Sequence, residues 1–479
     1  MNLANLDDIN YISVTSVATT NTLTISNAQT GVTVELAEGD HAGTTVVQLA
    51  NAGSSDVATI KLTDDDGTTA AFNALTFTGF ETLNFSTTDA QTIPTGAAHQ
   101  ITTLTDADAT SITVTGNAGL NLGTFAGTAL TSFNASGVTL GSVTYTSGVL
   151  ASASTITGGA GADTLSAAAA VATVSLVGGA GIDTLTGSAT KASTIDGGAG
   201  NDILTGGAVA DSIVGGDNTD TFVFSSTTVV EQVGSSTTTG VVINLSAAAI
   251  TSGDVNAAVG GTVGLTGAQT SVASNTATYL YSAESNTNAS VIDTLISIEN
   301  ATGTELADYI VGSTADNTIT GGDGTDTVTG GTGADTFSFI AAEAGDGDVI
   351  TDFAVASDFF DYNTALKSID AAVTTPAGFQ NNVAAGTAIG VATSVYELVG
   401  TTTTDGTAVD LVSKLGAAAT NTAIDSGDKL LFVNYLTAGG AQVWQFVDAD
   451  NASVGAGELT LIATLTGVAA SALTTTNFI

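Results

Sequence analysis

The chain has 479 residues, long enough for two to four ordinary domains, and carries 46 Asp and Glu against five Lys and no Arg, a formal net charge of −41. That balance excludes phosphate clamps, nucleic-acid grooves and anionic-membrane patches, which need clustered basic side chains, and it strains a compact fold by self-repulsion unless bound cations offset it. With no Cys in the chain, neither a disulfide framework nor a thiolate site exists.

Residues Met1 to Asn10 lack the basic region and apolar run of a secretory signal peptide. The longest apolar stretch, near Ala167 to Ala172, falls well short of the ~20 residues that span a bilayer, so membrane insertion is not expected. Mean hydropathy is nevertheless positive, at +0.36, because small alanines are abundant. Residues 1–150 read as a strand-rich rung region: LTIS, VTVEL, VVQLA, ATIKL, LTFTGFETLNF, SITVTG and LTSFNASGV are short β-branched runs punctuated by Gly, Asn and Asp. Whether they continue the coil that follows or form a separate β-domain stays open at this level.

Residues 151–224 form a first repeat block. The phrase GGAGADTLS from Gly158 recurs as GGAGIDTLT from Gly178 and GGAGNDILT from Gly197, and as GGDGTDTVT from Gly321 in a second block, residues 301–360. The pattern is GGxGxDxUx, with U a large apolar residue. Adjacent glycines let the backbone take positive φ and bend tightly, turning carbonyls into the bend. The aspartate adds an anionic oxygen, and carboxylate plus carbonyl is the ligand set that Ca2+ prefers. The x-U-x that follows is a short strand with its apolar side chain inward. Two nonapeptides make one coil of a parallel β-roll, with Ca2+ between the turns of successive coils.

The candidate metal ligands are therefore Gly158, Gly159, Gly161 and Asp163; Gly178, Gly179, Gly181 and Asp183; Gly197, Gly198, Gly200 and Asp202; Asp211; and Gly215 with Asp220. In the second block they are Asp308 and Asn317; Gly321, Gly322, Gly324 and Asp326; Gly330, Gly331, Gly333 and Asp335; and Asp352. One coil is about 18 residues, so Asp163, Asp183, Asp202 and Asp220, which follow one another by 20, 19 and 18 residues, are expected in one column with up to three ions between coils. The opposite flank offers Val174, Ser193 and Asp211 and is expected to be calcium-poor. In the second block Asp308 pairs with Asp326 on one flank and Asn317 with Asp335 on the other, where the neutral amide predicts the weaker site.

Residues 225–300 carry no glycine repeat and read as an insertion, flanked by the strand-like runs Val241 to Leu245 and Ile292 to Glu299. Residues 361–479 begin alanine-rich, with a looser, helix-like period, and end in hairpins. Asp346, Asp348, Asp352 and Asp358 read equally well, as a group, as closing the last coil or as plain surface charge. Asp64-Asp65-Asp66-Gly67 fails as an EF-hand loop, because its positions 1 and 12 would be Leu62 and Asn73, and reads as a solvated loop. His41 and His99 lie in no H-E-x-x-H pattern and read as loop or surface residues, and no G-x-S-x-G elbow is present. The chain is accordingly not expected to be an enzyme. Trp444 reads as a core anchor of the tail.

These glycine-aspartate repeats resemble the RTX family of calcium-binding β-roll proteins. The phrases FETLNFSTTD (Phe80 to Asp89), ATSITVTGN (Ala109 to Asn117) and LTSFNASGV (Leu130 to Val138) resemble rungs of RTX-type bacterial S-layer proteins. The tail, from Leu465-Thr466-Gly467-Val468 to Asn477-Phe478-Ile479, is similar to the uncleaved C-terminal signals of type I secretion substrates. The resemblance implies an all-β protein, a parallel β-helix or RTX β-roll solenoid with a small mixed C-terminal region. It further implies several bound Ca2+ ions, export by the type I secretion machinery, and assembly with copies of itself into a lattice on the cell surface. Lipopolysaccharide or another surface glycan is the implied anchor, through a region the sequence does not identify. A secreted RTX adhesin or matrix protein is the alternative, and a polysaccharide-acting RTX enzyme a second one.

Overall fold

The structure is a computed structural model. It describes residues 1–3, 9–15, 21–37, 43–64, 71–91, 96–207, 209–224, 239–251, 255, 263–264, 271–279, 281–282, 292–339, 347–362, 379–380, 395–403, 407–408, 429–447, 456–470 and 472–479. His41, Asp65, Asp66, Asp346 and most of the alanine-rich stretch after Asp361 lie outside the described residues. The chain divides into two compact units, Met1–Val230 with Val291–Ile298, and Glu231–Ser290 with Glu299–Ile479.

The first unit is a parallel β-solenoid. Each coil contributes one strand to each of two sheets, because the β-branched runs alternate apolar and polar residues and leave one face to bury. Thr82–Asp89, Ser111–Gly116, Ser132–Val138, Ser154–Thr157, Val174–Ala180, Ser193–Ala199, Ser212–Asp217 and Ile292–Ile296 pair in parallel in one sheet. Val143–Ser147, Thr164–Ser166, Thr184–Thr186, Ile203–Thr205 and Thr221–Val223 do the same in the other. The N-terminal rungs therefore continue the coil of the glycine repeats.

Register puts like upon like. Leu83, Ile112, Phe133, Ile156, Leu176, Ile195, Ile213 and Leu295 form one inward column on successive strands. Tyr145, Leu165, Leu185, Leu204 and Phe222 form its counterpart. All of these side chains are buried, and the rings of Phe133 and Tyr145 stack at 4.1 Å between centroids. A large apolar side chain contributes about 1.5–3 kcal/mol when fully buried, so these columns are the main cohesive force of the unit. Within this unit, most of the buried aromatic side chains among the described residues lie before residue 150, in Phe72, Phe77, Phe80, Phe85, Phe125, Phe133 and Tyr145, with Phe222 and Phe224 after it.

In the second unit, Thr239–Asn244, Ala307–Val311, Thr327–Thr329 and Asp348–Ile350 pair in parallel. They face Asn300–Thr302, Thr318–Thr320, Thr336–Phe339 and Phe359–Tyr362, whose inward column is Ala301, Ile319, Phe337 and Phe360. The C-terminal region is a mixed sheet. Lys429–Leu436, Ala441–Val447 and Leu459–Leu465 are antiparallel, and the last joins Asp348–Ile350 in parallel. Its described residues are mostly strands and turns, with a helical residue at Ala408 and two short 3-10 turns, and Val395–Thr403, where the sequence has a helix-like period, is a strand. Trp444 is buried, as a core anchor should be. Among the described residues no helix is long and apolar enough to cross a membrane.

Candidate metal centre

Each repeat turn ends in a short strand whose first neighbour is the aspartate, and parallel pairing of those strands stacks the aspartates. The N–H of Asp163 donates to Asp183 Oδ1 at 2.7 Å, that of Asp183 to Asp202 Oδ1 at 2.8 Å, and that of Asp202 to Asp220 Oδ1 at 2.8 Å. The four residues expected in one column are therefore hydrogen-bonded in series, coil to coil. All four are buried.

The other flank of this unit also matches its expected register. Val174 pairs with Ser193, the Ser193 N–H donates to Asp211 Oδ1 at 2.6 Å, and the Asp211 N–H donates to Asp293 Oδ1 at 2.9 Å. Beside Ser154, Val174 and Ser193 the surface forms an open groove lined by alanine, threonine, serine and valine, with no carboxylate. Asp293 stands 82 residues from Asp211, and motif reading missed it because its turn lacks glycines. The D-x-U-x end of the repeat, Asp293-Thr294-Leu295-Ile296, was the available signal.

In the second unit Asp308 donates its N–H to Asp326 Oδ1 at 2.7 Å and Asp326 to Asp348 Oδ1 at 2.8 Å. On the facing sheet Asn317 donates to Asp335 Oδ1 at 2.9 Å and Asp335 to Asp358 Oδ1 at 3.2 Å. The alternation of flanks is thus present, and Asp348 and Asp358 extend the two columns. Asp352 lies beside them and accepts the N–H groups of Gly330 and Gly331 at 2.8 and 2.9 Å.

The chemistry of these turns fits a hard cation. Asp183, Asp202 and Asp335 each keep a buried Oδ2 that accepts no hydrogen bond. A buried, unsatisfied carboxylate oxygen is costly, and a cation is the ligand that relieves it. The first glycine of each turn is the cradle. A Cβ on Gly178 would sit between Asp183 Oδ2 and the carbonyl oxygen of Gly197 in the next coil; a Cβ on Gly197 would meet Asp202 Oδ2 and the Gly215 carbonyl; and a Cβ on Gly215 would meet Asp220 Oδ2 and the Ser297 carbonyl. Gly321 and Gly330 stand in the same relation to Asp326 Oδ2 and Asp335 Oδ2. Among the described residues no three His, Cys, Asp or Glu side chains converge as a cage, so an ion here is held by carboxylate plus backbone carbonyl. When bound, Ca2+ supplies positive charge between successive coils.

The electrostatics agree. Burial pushes Asp183 up to about 7, with the charges of Asp163 and Asp202 adding to it, and burial likewise pushes Asp163 and Asp335 to about 6 and raises Asp202. Without a cation, stacked carboxylates in low dielectric resist ionisation.

Four stretches match the family described as the RTX calcium-binding nonapeptide repeat, at residues 150–169, 175–190, 192–224 and 302–337. They coincide with the stacked aspartate turns of both units. The chain therefore carries, on a parallel β-solenoid, stretches that match RTX calcium-binding repeats. No curated protein matches it.

Two residues read as exposed from sequence are buried. His99 lies in the strand Ala98–Thr105, 1 % exposed, edge-on to Phe72 at 5.7 Å and with Nε2 3.3 Å from the Thr88 carbonyl. Burial holds its pKa below the ordinary imidazole value. Asp64 ends the strand Val57–Asp64 at an inward position rather than opening a solvated loop. In both cases the strand runs further than β propensity alone indicates, and its alternation carries the polar residue inside.

Proposed function

We propose that this chain is a secreted structural protein that folds when it binds calcium outside the cell and assembles with its own copies into a two-dimensional surface lattice. The observation that carries the calcium half of this reading is the buried, unsatisfied Oδ2 on successive aspartates. Carboxylates that repel one another in low dielectric become cohesive only when a cation separates them, so folding and binding are coupled. Low calcium leaves the chain loose enough for type I export, and millimolar calcium outside closes the coils.

The lattice half is supported by the three rung phrases that resemble S-layer sequences. They are neighbouring strands of one sheet, Thr82–Asp89, Ser111–Gly116 and Ser132–Val138. A net charge of −41 with only five Lys also suits divalent bridging between copies. Heterologous contacts repeated by symmetry extend without closing, as a lattice requires. The reading assigns the protein no catalytic role, and leaves a surface glycan as the anchor.

Electron microscopy of the purified chain with millimolar calcium and with chelator tests it. Ordered sheets that form with calcium and disperse on chelation are the expected result. Folded, dispersed monomers at every calcium concentration would overturn the lattice and favour a secreted adhesin.

A further inference from the structure

The repeat turns fall into two conformations that the motif does not distinguish. In the turns ending at Asp183, Asp202, Asp220, Asp326 and Asp335, the residue four before the carboxylate has positive φ: Gly179 at 119°, Gly198 at 106°, Gly216 at 119°, Gly322 at 108° and Gly331 at 105°. The residue two before it does as well: Gly181 at 121°, Gly200 at 138°, Asn218 at 85°, Gly324 at 113° and Gly333 at 143°. These turns are open.

Five other described turns are closed by their own backbone. Gly159 N–H donates to Asp163 Oδ2 at 2.5 Å, Gly207 to Asp211 Oδ2 at 2.6 Å, Thr304 to Asp308 Oδ2 at 2.5 Å, Ser313 to Asn317 Oδ1 at 2.7 Å and Ala354 to Asp358 Oδ2 at 2.7 Å. In every case the donor is the residue four before the side chain it caps, and none of these donors has positive φ. The second oxygen is also engaged, on Asp163 by Val143 N–H at 2.6 Å and on Asp308 by Val241 N–H at 2.6 Å. Asn317 goes further, since its Nδ2 donates to the Glu299 carbonyl.

The cause is steric and local. Thr304, Ser313 and Ala354 have a Cβ, which makes positive φ costly, so their N–H stays aimed at the carboxylate. Gly159 and Gly207 are free of that cost yet remain closed, because an open turn stacks on a repeat turn in the coil before it. The carbonyls of Gly159, Gly179 and Gly198 face the next glycine in their column, Gly179, Gly198 and Gly216, and those of Thr304 and Ser313 face Gly322 and Gly331. Ahead of Gly159 in its column stands Val138, and ahead of Gly207 stands Ser188, whose own N–H donates to Ser193 Oγ at 2.9 Å. The first turn of each column thus closes on itself.

We infer that, among these ten described turns, calcium is held only by the open ones, those of Asp183, Asp202, Asp220, Asp326 and Asp335, and that the turns of Asp163, Asp211, Asp308, Asn317 and Asp358 bind none. The closed turns of Asp163 and Asp308 keep the first-glycine cradle, with Gly158 beside Asp163 Oδ2 and the Gly178 carbonyl and Gly303 beside Asp308 Oδ2 and the Gly321 carbonyl, but a backbone amide takes the carboxylate oxygen that an ion would need, supplying the positive end of a dipole in place of a charge. Asp163 and Asp308 lie inside matched repeat stretches, so agreement with the motif overstates the ion count. The inference rests on the calcium-binding reading of the repeats and is independent of lattice formation.

Native mass spectrometry of the calcium-loaded full chain and its variants is the test. Asp183→Asn lowers the number of bound ions by at least one, whereas Asp163→Asn leaves it unchanged. Asn317→Asp alone restores the motif carboxylate but adds no ion, because no repeat turn precedes it in its column, while Ala354→Gly with Ala356→Gly opens the turn of Asp358, which follows the open turn of Asp335, and adds one. This last arm reads a gain and so does not depend on a weakened variant folding. Loss of an ion in Asp163→Asn, or its gain in Asn317→Asp alone, overturns the inference. A parent chain that binds no calcium overturns the reading beneath it, a different outcome in the same spectrum.

Discussion

The N–H of Asp183 donates to the carboxylate of Asp202, 19 residues later and one coil on, at 2.8 Å. That bond leaves Asp202 Oδ2 buried without a hydrogen bond. A residue that in most proteins would face water is here both a rung of the backbone ladder and a waiting ligand.

Gly178→Ala should empty one site without touching a carboxylate, because its Cβ would fill the space between Asp183 Oδ2 and the Gly197 carbonyl. With free calcium about 100-fold above its dissociation constant, losing one ion removes about 2.7 kcal/mol of stability. Chemical unfolding in calcium and in chelator measures this, and the difference between variant and parent should vanish in chelator apart from the steric cost of the methyl.

Asn218 occupies at φ 85° a position that is glycine in the other open turns. Asparagine tolerates the left-handed region better than other residues with a side chain, so Asn218→Ala should destabilise the calcium-loaded chain by about 1 kcal/mol. Asn218→Gly should not, and calorimetry of the pair separates backbone strain from loss of the amide.

The tail is docked on the last coil. Asn477 Nδ2 donates to the carbonyls of Val355 and Asp358, both at 2.9 Å, and Phe478 lies 5.7 Å from Phe360 between ring centroids. Asn477→Ala leaves the buried Asp358 carbonyl and the part-buried Val355 carbonyl without this donor and should cost about 1–3 kcal/mol. Protease susceptibility of the C-terminus in calcium should rise in step.

Asp106 gives a pH signature away from the repeats. Burial pushes its pKa up to about 6, with the charges of Asp108 and Glu81 adding to the rise, while the unfolded value is near 3.9. Between these pKa values the folded state binds more protons than the unfolded state, so stability falls as pH rises from about 4 through 6 and is flat above. Asp106→Asn should raise the melting temperature at pH 8 and flatten this part of the profile in chelator.

Much of this was legible in the chain. The spacing of Asp163, Asp183, Asp202 and Asp220 reports the coil length directly, since one residue of slip would turn every Leu of the x-U-x strands outward. That Asn317 departs from the motif's aspartate was readable, but its closure by the Ser313 N–H was not. Whether a turn is open or closed was not legible, because Gly159 and Gly179 are the same residue in the same motif and differ only in what stacks before them. Asp293 was hidden for a related reason. Its place in the column is set by strand pairing across an insertion, and nearest-neighbour pattern carries no record of that pairing. The burial of His99 followed from the length of its strand, which propensity leaves indefinite.

Hydrogen exchange along the full chain, in chelator and then in millimolar calcium, tests the central claim that calcium closes the glycine coils. The rungs between residues 57 and 147, with their aromatic core, should be protected in both conditions. Amides from 174 to 223 and from 318 to 339 should gain protection with calcium alone. Equal protection of those stretches in chelator would contradict the account.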